Sequence, residues 1–366
     1  MPPHLVHLTV AHDPRDPRIV QKQCRSLNEA GYRVTLIAPS VDAAVNPPVA
    51  WSPISGQPSR LRRLVAAYQT AVTLHADAYH MHDPDLLPVG WLLKQRTGAV
   101  IVYDMHEDFR TRGPFLGRAI RAVERWAFGW LDHVVLAEQG YAPIVEDASV
   151  PHTFIENYHH PSTPASEKPP SKRPTRLLYT GSISRSRGLF HMLDVASSIQ
   201  RANRPERLTL VGICRPDDER TEAERRIQTD ALGPYVERVG WTDYVPQASM
   251  IPDLQDADVG LALFEPHPNH MKSLLTKFYE YLYHGIPIIA SDFSLWRTFV
   301  ETHDCGAVVP PGDAEAVFAV LDRWQNNPAR YRDLVFHARA ASKQFRWRIM
   351  GERLVQRYTD WVGPPS

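Results

Sequence analysis

The sequence is poor in cysteine, has no excess of either charge and has no long apolar run. Its 366 residues include three cysteines, Cys24, Cys214 and Cys305, far apart and in no CxxC pair. An odd number cannot all pair internally, so a reducing, cytoplasmic setting is expected. Lys+Arg and Asp+Glu both number 41, so net charge gives no pull towards an anionic membrane or towards nucleic acid, which is not expected as a partner. No stretch approaches the ~20 apolar residues of a membrane helix. The apolar run in MPPHLVHLTVAHDPRDPR is too short for a signal peptide and is followed at once by acids. Short motifs are missing as well. Without GxxxxGK there is no ATPase loop, and without GxGxxG a dinucleotide oxidoreductase is disfavoured. Without HExxH or CxxC no metal site is supported, and none is expected.

What is present is an α/β pattern on two scales. The length suggests roughly two domains, and a hydrophobic content of 43% is ample for their cores. Short apolar strands alternate with amphipathic helices: 4–10, 32–39, 78–82, 99–104 and 133–138, then 176–181, 207–212, 236–241, 258–264, 286–290 and 306–310. Such alternation implies parallel sheets covered on both faces. Asp16 followed by Pro17 is a strong helix start, carrying a helix to Gly31. The proline-rich YHHPSTPASEKPPSKRP, 158–174, interrupts the alternation and reads as an extended linker. The expected plan is two doubly wound, Rossmann-like domains, 1–160 and 175–346, joined by a linker at 161–174. A helix over 347–362 follows, and ligands are expected at the carboxyl ends of the strands, in a cleft.

Four stretches could carry chemistry. In YTGSISRSRGLFHML, 179–193, a strand leads through Gly181, Ser182, Arg185 and Arg187 to Gly188 at a helix start. Backbone amides, a helix N-terminus and two arginines suit a phosphate or diphosphate; the plain alternative is a βα loop with solvated arginines. In KSLLTKFYEYLYHGIPIIASDF, 272–293, Lys277 and Glu280 share a face of an otherwise apolar helix. That pair is either a surface ion pair of little worth or a carboxylate placed to accept two hydrogen bonds from a diol such as a ribose. In AHDPRDPR, 11–18, His12, Arg15 and Arg18 crowd a helix start and invite an anion, unless Asp13 and Asp16 neutralise them. HMHDPD and VYDMHED bring His80, His82, Asp83, Asp104, His106 and Glu107 to strand ends. Of these His106 is the functional candidate. Asp256-Ala-Asp258 is read as capping chemistry rather than a metal motif. The basic helix 118–130 is either a solvated cover helix or a contact for a membrane or anionic acceptor.

Taken in order, these stretches resemble the retaining GT-B glycosyltransferases of the large family-four group, over nearly the whole chain. HDPRDPRIVQKQCRSLNEAGYRVTLIAPS is similar to the group's first βα unit, and YHMHDPDLLPVGWLLKQRTGAVIVYDMHED to two cleft-edge segments. LLYTGSISRSRGL resembles its phosphate loop, LTKFYEYLYHGIPIIASD its nucleotide helix and CGAVVPPGDAEAV the run that follows. FRWRIMGERLVQRYTDWV resembles the C-terminal helix that returns to the first domain. The resemblance implies an acceptor domain, 1–160 with 347–366, and a donor domain, 175–346. It places the donor site at Gly181, Ser182, Arg185, Arg187, Gly188, Trp241, Val245, Lys277 and Glu280. Glu280 would hold the ribose hydroxyls, Arg187 and Lys277 the diphosphate, and the backbone around Trp241–Val245 the base. His106, with Arg187 and Glu280, would belong to the catalytic set. His12, Arg15, Arg18, His82, Asp83, Glu107 and Lys272 would line the acceptor side.

Two departures stand out. The group's glutamate, seven residues, glutamate pair has Lys272 at its first position, although a branch of the group uses a Lys-x-x-Glu-Tyr helix. Ser182 stands where arginine is common, and Arg185 is expected to compensate. The implied reaction is transfer of a hexosyl or N-acetylhexosaminyl group from a nucleotide-diphosphate sugar, UDP favoured slightly over GDP, to a hydroxyl acceptor. It would proceed with retention, without metal or cofactor, in the cytoplasm or peripherally at a membrane. A non-hydrolysing nucleotide-sugar epimerase and a catalytically weak nucleotide-sugar-binding subunit remain alternatives.

Overall fold

The computed structural model describes all residues except 42–46, 55–58, 112, 162, 166–168, 172 and 366. The chain divides into two compact units. Unit 1 comprises Met1–His160 with Trp347–Ser366, and unit 2 comprises Pro161–Arg346.

Unit 1 is built on strands β1 (His4–Leu8), β2 (Arg33–Pro39), β3 (Ala50–Ile54), β4 (Ala78–Met81), β5 (Val100–Met105), β6 (His133–Leu136) and β7 (His152–Phe154). They form a wholly parallel sheet in the order β3-β2-β1-β4-β5-β6-β7. Helices α1 (Arg25–Glu29), α2 (Arg60–Thr73), α3 (Leu87–Thr97), α4 (Pro114–Phe128) and α5 (Ala142–Glu146) connect them. The strands β3 and β7 escape the sequence pattern. Both are short edge strands, and Pro53 within β3 is a residue that edges tolerate and central strands do not.

The helix after β1 starts at Pro17, as the Asp16-Pro17 pair predicts. The Asp16 side chain caps it, accepting from the amides of Arg18 and Ile19 at 2.9 Å each. From Pro17 to Cys24 the turn is of the π type, and α1 continues it. Spacing of five residues in such a turn stacks Arg18 over Gln23, and both reach the same carboxylate, Asp104.

The C-terminal helix Trp347–Val362 completes the opposite face of the sheet from α2–α4. Its Trp347, Met350, Leu354 and Tyr358 are buried at helical spacing against Ile19, Leu27 and Tyr32. Trp347 Nε1 donates to Ser26 Oγ at 2.9 Å, and Gly351 lies where a Cβ would stand 3.0 Å from that same oxygen.

Unit 2 has strands β8 (Arg176–Thr180), β9 (Arg207–Ile213), β10 (Val236–Trp241), β11 (Val259–Ala262), β12 (Ile288–Ser291) and β13 (Gly306–Val309). They too are parallel, in the order β10-β9-β8-β11-β12-β13. Its helices are α6 (Leu189–Arg201), α7 (Asp217–Thr229), α8 (Ile251–Asp256), α9 (Pro268–Lys272), α10 (Thr276–His284), α11 (Ser294–Thr302), α12 (Ala314–Asn326) and α13 (Pro328–Ser342). Asp258 acts as capping chemistry: its Oδ2 accepts from the amides of Thr175 and Arg176 at 3.0 and 3.1 Å. In each sheet the strand order reverses beside the first strand, between β1 and β4 and between β8 and β11. Open α/β sheets bind ligands at such switch points, outside the carboxyl ends of the strands.

Candidate functional site

At the switch point of unit 1 the loops after β1, β4 and β5 converge. Asp83, just after β4, is fully buried. Its Oδ2 accepts from Thr9 Oγ1 at 2.9 Å and from the Val10 amide at 2.7 Å, while Oδ1 faces His12 Nε2 at 3.4 Å. His12 also points Nδ1 at Asp16 Oδ2, 3.4 Å away, and sets Nε2 3.1 Å from His106 Nε2. His106 Nδ1 lies 3.1 Å from the carbonyl oxygen of Asp104. A carbonyl only accepts, so His106 donates from Nδ1 and carries a lone pair on Nε2, which accepts from His12.

The electrostatics agree with that tautomer. Burial opposes a charge on His12, but the bond to Asp16 and the charge of Asp83 outweigh it and hold its pKa above 6.5. Burial lowers His106, and Arg18 and His12 add to the effect against Asp104. Burial also works against ionisation of Asp16, yet hydrogen bonds from His12 and the Ile19 amide bring its carboxyl down to about 2. The proton between the two Nε2 atoms is thus favoured on His12, which faces two carboxylates, over His106.

Arg15 and Arg18 do not present the anion site that the loop sequence suggests. Arg15 closes on Asp13 at 2.6 Å on the surface. Arg18 turns inward and grips Asp104 with Nε at 3.0 Å and Nη2 at 2.7 Å. A buried guanidinium needs a carboxylate of its own, and Asp104 supplies it. Glu107 is exposed.

Below this lies a buried histidine stack. His82 Nδ1 donates to Asp104 Oδ2 at 3.1 Å, and His7 Nδ1 donates to His82 Nε2 at 2.9 Å. His80 Nδ1 meets Tyr358 Oη of the C-terminal helix at 2.7 Å. His80, His82 and Asp104 offer atoms within 4.8 Å of one another, as a metal site would. However, the His80 and His82 rings lie parallel, 4.7 Å apart at 7°, so their lone pairs do not converge on a point. Both nitrogens of His82 are engaged, and Asp104 already holds Arg18 and Gln23. These contacts tie the cluster into a buried hydrogen-bonded core.

At the switch point of unit 2 the phosphate-loop candidate follows β8. Gly181 has φ +106°, and a Cβ there would come within 4.0 Å of Lys277 Nζ. Gly188 has φ +86°, and a Cβ there would lie 2.0 Å from the Leu263 carbonyl oxygen, so only glycine lets α6 start so close to β11. The Ser182 carbonyl accepts from Tyr179 Oη at 2.7 Å. Arg187 is half-buried beside Tyr179, His270 and Lys277, whose protonation it influences.

Arg185 differs from expectation. Its amide and guanidinium donate to Glu219 and Glu222 of α7, each at 2.6 Å, and its guanidinium covers the Phe190 ring. It is therefore held away from Ser182 rather than replacing an arginine there.

Lys277 and Glu280 of α10 fare differently from each other. Lys277 is buried, with Nζ 4.0 Å from the Tyr179 ring centroid and 4.7 Å from that of Phe264. Burial, then the charge of Arg187, pushes its pKa well below the usual lysine range, against the pull of Glu280. Glu280 is only partly buried, and its Oε1 accepts from Gln247 Nε2 at 3.0 Å. Gln247 follows the loop of Trp241 and Val245, both buried. Trp241 has φ +49° and donates from Nε1 to Glu224 at 2.7 Å. Gly181, Arg187, Gly188, Lys277 and Glu280 are thus collected around one switch point, while Lys272 is exposed at the end of α9. Gln247 and Tyr179 were not singled out from sequence; only the fold shows that a glutamine 33 residues away meets Glu280.

Residues 17–155 match the family model described as a glycosyl transferase 4-like domain, and residues 174–327 match glycosyl transferases group 1. No curated protein matches the sequence significantly. Among solved structures, sucrose-phosphate synthase from Thermosynechococcus elongatus superposes with a TM-score of 0.76 at 17% identity, covering 98% of each chain. Alr3699/HepE of Anabaena in complex with UDP-glucose gives 0.75 at 14% identity, covering 98% of this chain and 99% of that one. WaaG, a glycosyltransferase involved in lipopolysaccharide biosynthesis, gives 0.69 at 15%, covering 96% and 98%. At such identities the likeness is one of fold, the GT-B architecture of two Rossmann-like domains.

Proposed function

The chain belongs to the group 1 glycosyl transferases, and from that premise we propose that unit 2 binds a nucleotide-diphosphate sugar and unit 1 a hydroxyl acceptor. The observation that carries this reading is the set at the β8/β11 switch point. A glycine-turned loop, a helix start, Arg187 and a buried lysine gather there beside a carboxylate, Glu280. Glu280 is suited to two ribose hydroxyls, a role that Gln247 would orient. UDP is the first nucleotide to try, since Alr3699/HepE was solved with UDP-glucose. Cys24, Cys214 and Cys305 are buried and free, which fits a reducing compartment.

In the proposed reaction the acceptor hydroxyl attacks the anomeric carbon as the bond to the diphosphate oxygen breaks. The acceptor proton passes to the leaving diphosphate, and configuration is retained. The chain's contribution is electrostatic: Arg187, Lys277 and the loop amides meet the charge that grows on the phosphate. Neither a metal nor a glycosidase-type carboxylate pair is assigned a role. His106 and His12 are assigned to the acceptor side. The test is incubation with UDP-sugars, a panel of hydroxyl acceptors and EDTA, followed by NMR of the new glycosidic linkage. A product with the donor's anomeric configuration supports the reading. An inverted product, or epimerised donor without acceptor, overturns it.

A further inference from the structure

The segment 264–277 joins β11 to α10 and lies against the phosphate loop: the Glu265 amide donates to the Ser186 carbonyl at 3.0 Å. Its stretch 265–272 holds His267, His270 and Lys272 against one acid, Glu265. His270 is half-buried, and its ring meets the edge of Phe264 with centroids 4.8 Å apart. Lys277 Nζ stands 4.7 Å from the centroid of that same Phe264 ring, so His270 and Lys277 share it. The exposed His267 ring lies 5.2 Å from that of His270. His270 Nδ1 is 3.2 Å from the Glu265 carbonyl oxygen. A carbonyl only accepts, so Nδ1 donates, and Nε2 has no hydrogen-bond partner among the described residues.

The charges around His270 have one sign. Burial lowers its pKa, and His267, Arg187 and Lys277 lower it further, while only the Glu265 carbonyl works the other way. Glu280, the acid of the site, acts on Lys277 from α10. The order from Glu280 through Lys277 and Phe264 to His270 parallels ribose, diphosphate and sugar in a nucleotide-diphosphate sugar. Arg187 and a charged Lys277 match the two charges of a diphosphate. His270 and His267 then stand on the sugar side with no anion to meet. A neutral sugar would gain nothing from charging these rings, whereas a carboxylate gains from every cation around it.

We propose that the donor sugar is itself anionic, a hexuronate whose carboxylate meets His270 Nε2 beside Lys277. The inference rests on the nucleotide-sugar reading of unit 2 and narrows it to one class of sugar. The carboxylate favours the protonated imidazole, so Nε2 changes from acceptor to donor as the sugar enters.

The test is calorimetric titration of the full-length protein with donor pairs that differ by a carboxylate in place of a hydroxymethyl group. The pairs are UDP-glucuronate with UDP-glucose, UDP-galacturonate with UDP-galactose, and GDP-mannuronate with GDP-mannose, beside free UDP and GDP. One hexuronate should bind about tenfold or more tightly than its parent hexose at pH 6. The ratio should fall towards pH 8, where charging His270 becomes more costly. Proton uptake at Lys277 is common to both members of a pair and cancels. His270→Ala should lower the ratio severalfold and remove its change with pH. The pH series on the unaltered protein stands whether or not that variant folds. Free nucleotide binding with no hexuronate preferred, or a preference equal at both pH values, overturns the inference and leaves the donor site of unit 2 standing. Silence from the free nucleotides and all the sugars overturns both.

Discussion

His12 Nε2 and His106 Nε2 stand 3.1 Å apart, so only one of them can carry a proton on that atom. Two elements of the sheet, the loop after β1 and the end of β5, supply the pair. The carboxylates of Asp16 and Asp83 favour the proton on His12. The midpoint of His12 should lie above the ordinary 6.5 and that of His106 below it. For His12 the sign follows directly: its stabilisation is complete below 6.5 and is lost as pH rises through its raised value. Nitrogen-detected NMR of histidine-labelled protein measures both. Like midpoints for the two rings would contradict the assignment. His106→Ala should lower kcat/KM by about a hundredfold or more while leaving nucleotide affinity intact.

Glu124 gives a stability prediction. It is buried on α4, accepting from Tyr103 Oη at 3.1 Å, with Arg110 Nε 3.9 Å away. Burial raises its pKa from 4.5 to about 7, against the pull of Arg110. The folded state therefore holds a proton that the unfolded state releases, and this contribution is lost as pH rises from 4.5 through 7. Glu124→Gln should stabilise the protein at pH 8, by up to about 3 kcal/mol, and the gain should vanish towards pH 4.5. Urea melts across that range provide the check, and an absence of gain at pH 8 would refute it.

Gly188 allows α6 to begin against β11. Gly188→Ala adds a Cβ 2.0 Å from the Leu263 carbonyl and keeps φ at +86°. The left-handed backbone alone costs about 1–2 kcal/mol, so a loss of at least ~2 kcal/mol in urea melts is expected. A neutral outcome would mean that the loop does not hold this conformation.

Lys277 is buried between aromatic rings with its pKa held well down by burial and by Arg187. A diphosphate beside it would favour its charged form, so nucleotide binding should take up protons at pH values near its lowered midpoint. Calorimetry in buffers of different ionisation enthalpy reads that uptake, and Lys277→Met should abolish it. Binding without proton exchange would place the diphosphate elsewhere.

The legible part of this molecule was the part encoded locally. Strand and helix alternation and the Asp16-Pro17 start are short-range signals, and the two parallel sheets followed from them. What stayed hidden depends on partners far along the chain. Arg18 is turned inward by Asp104, 86 residues on, and Arg185 is turned aside by Glu219 and Glu222. Both read as anion donors in the sequence, because an arginine in a loop reveals its charge but not its carboxylate. The His12–His106 contact likewise appears only once β4 has been placed between β1 and β5.

The central claim is that Glu280 and the glycine-turned loop of unit 2 bind a nucleotide-diphosphate sugar. Isothermal titration of the protein with UDP, GDP, ADP and TDP and their sugars tests it most directly, alongside Glu280→Ala. The account predicts saturable binding by at least one nucleotide diphosphate, UDP tried first. It also predicts a loss in Glu280→Ala of roughly tenfold or more, the worth of a charged hydrogen bond. Silence from all four nucleotides, or equal affinity in Glu280→Ala, would contradict it.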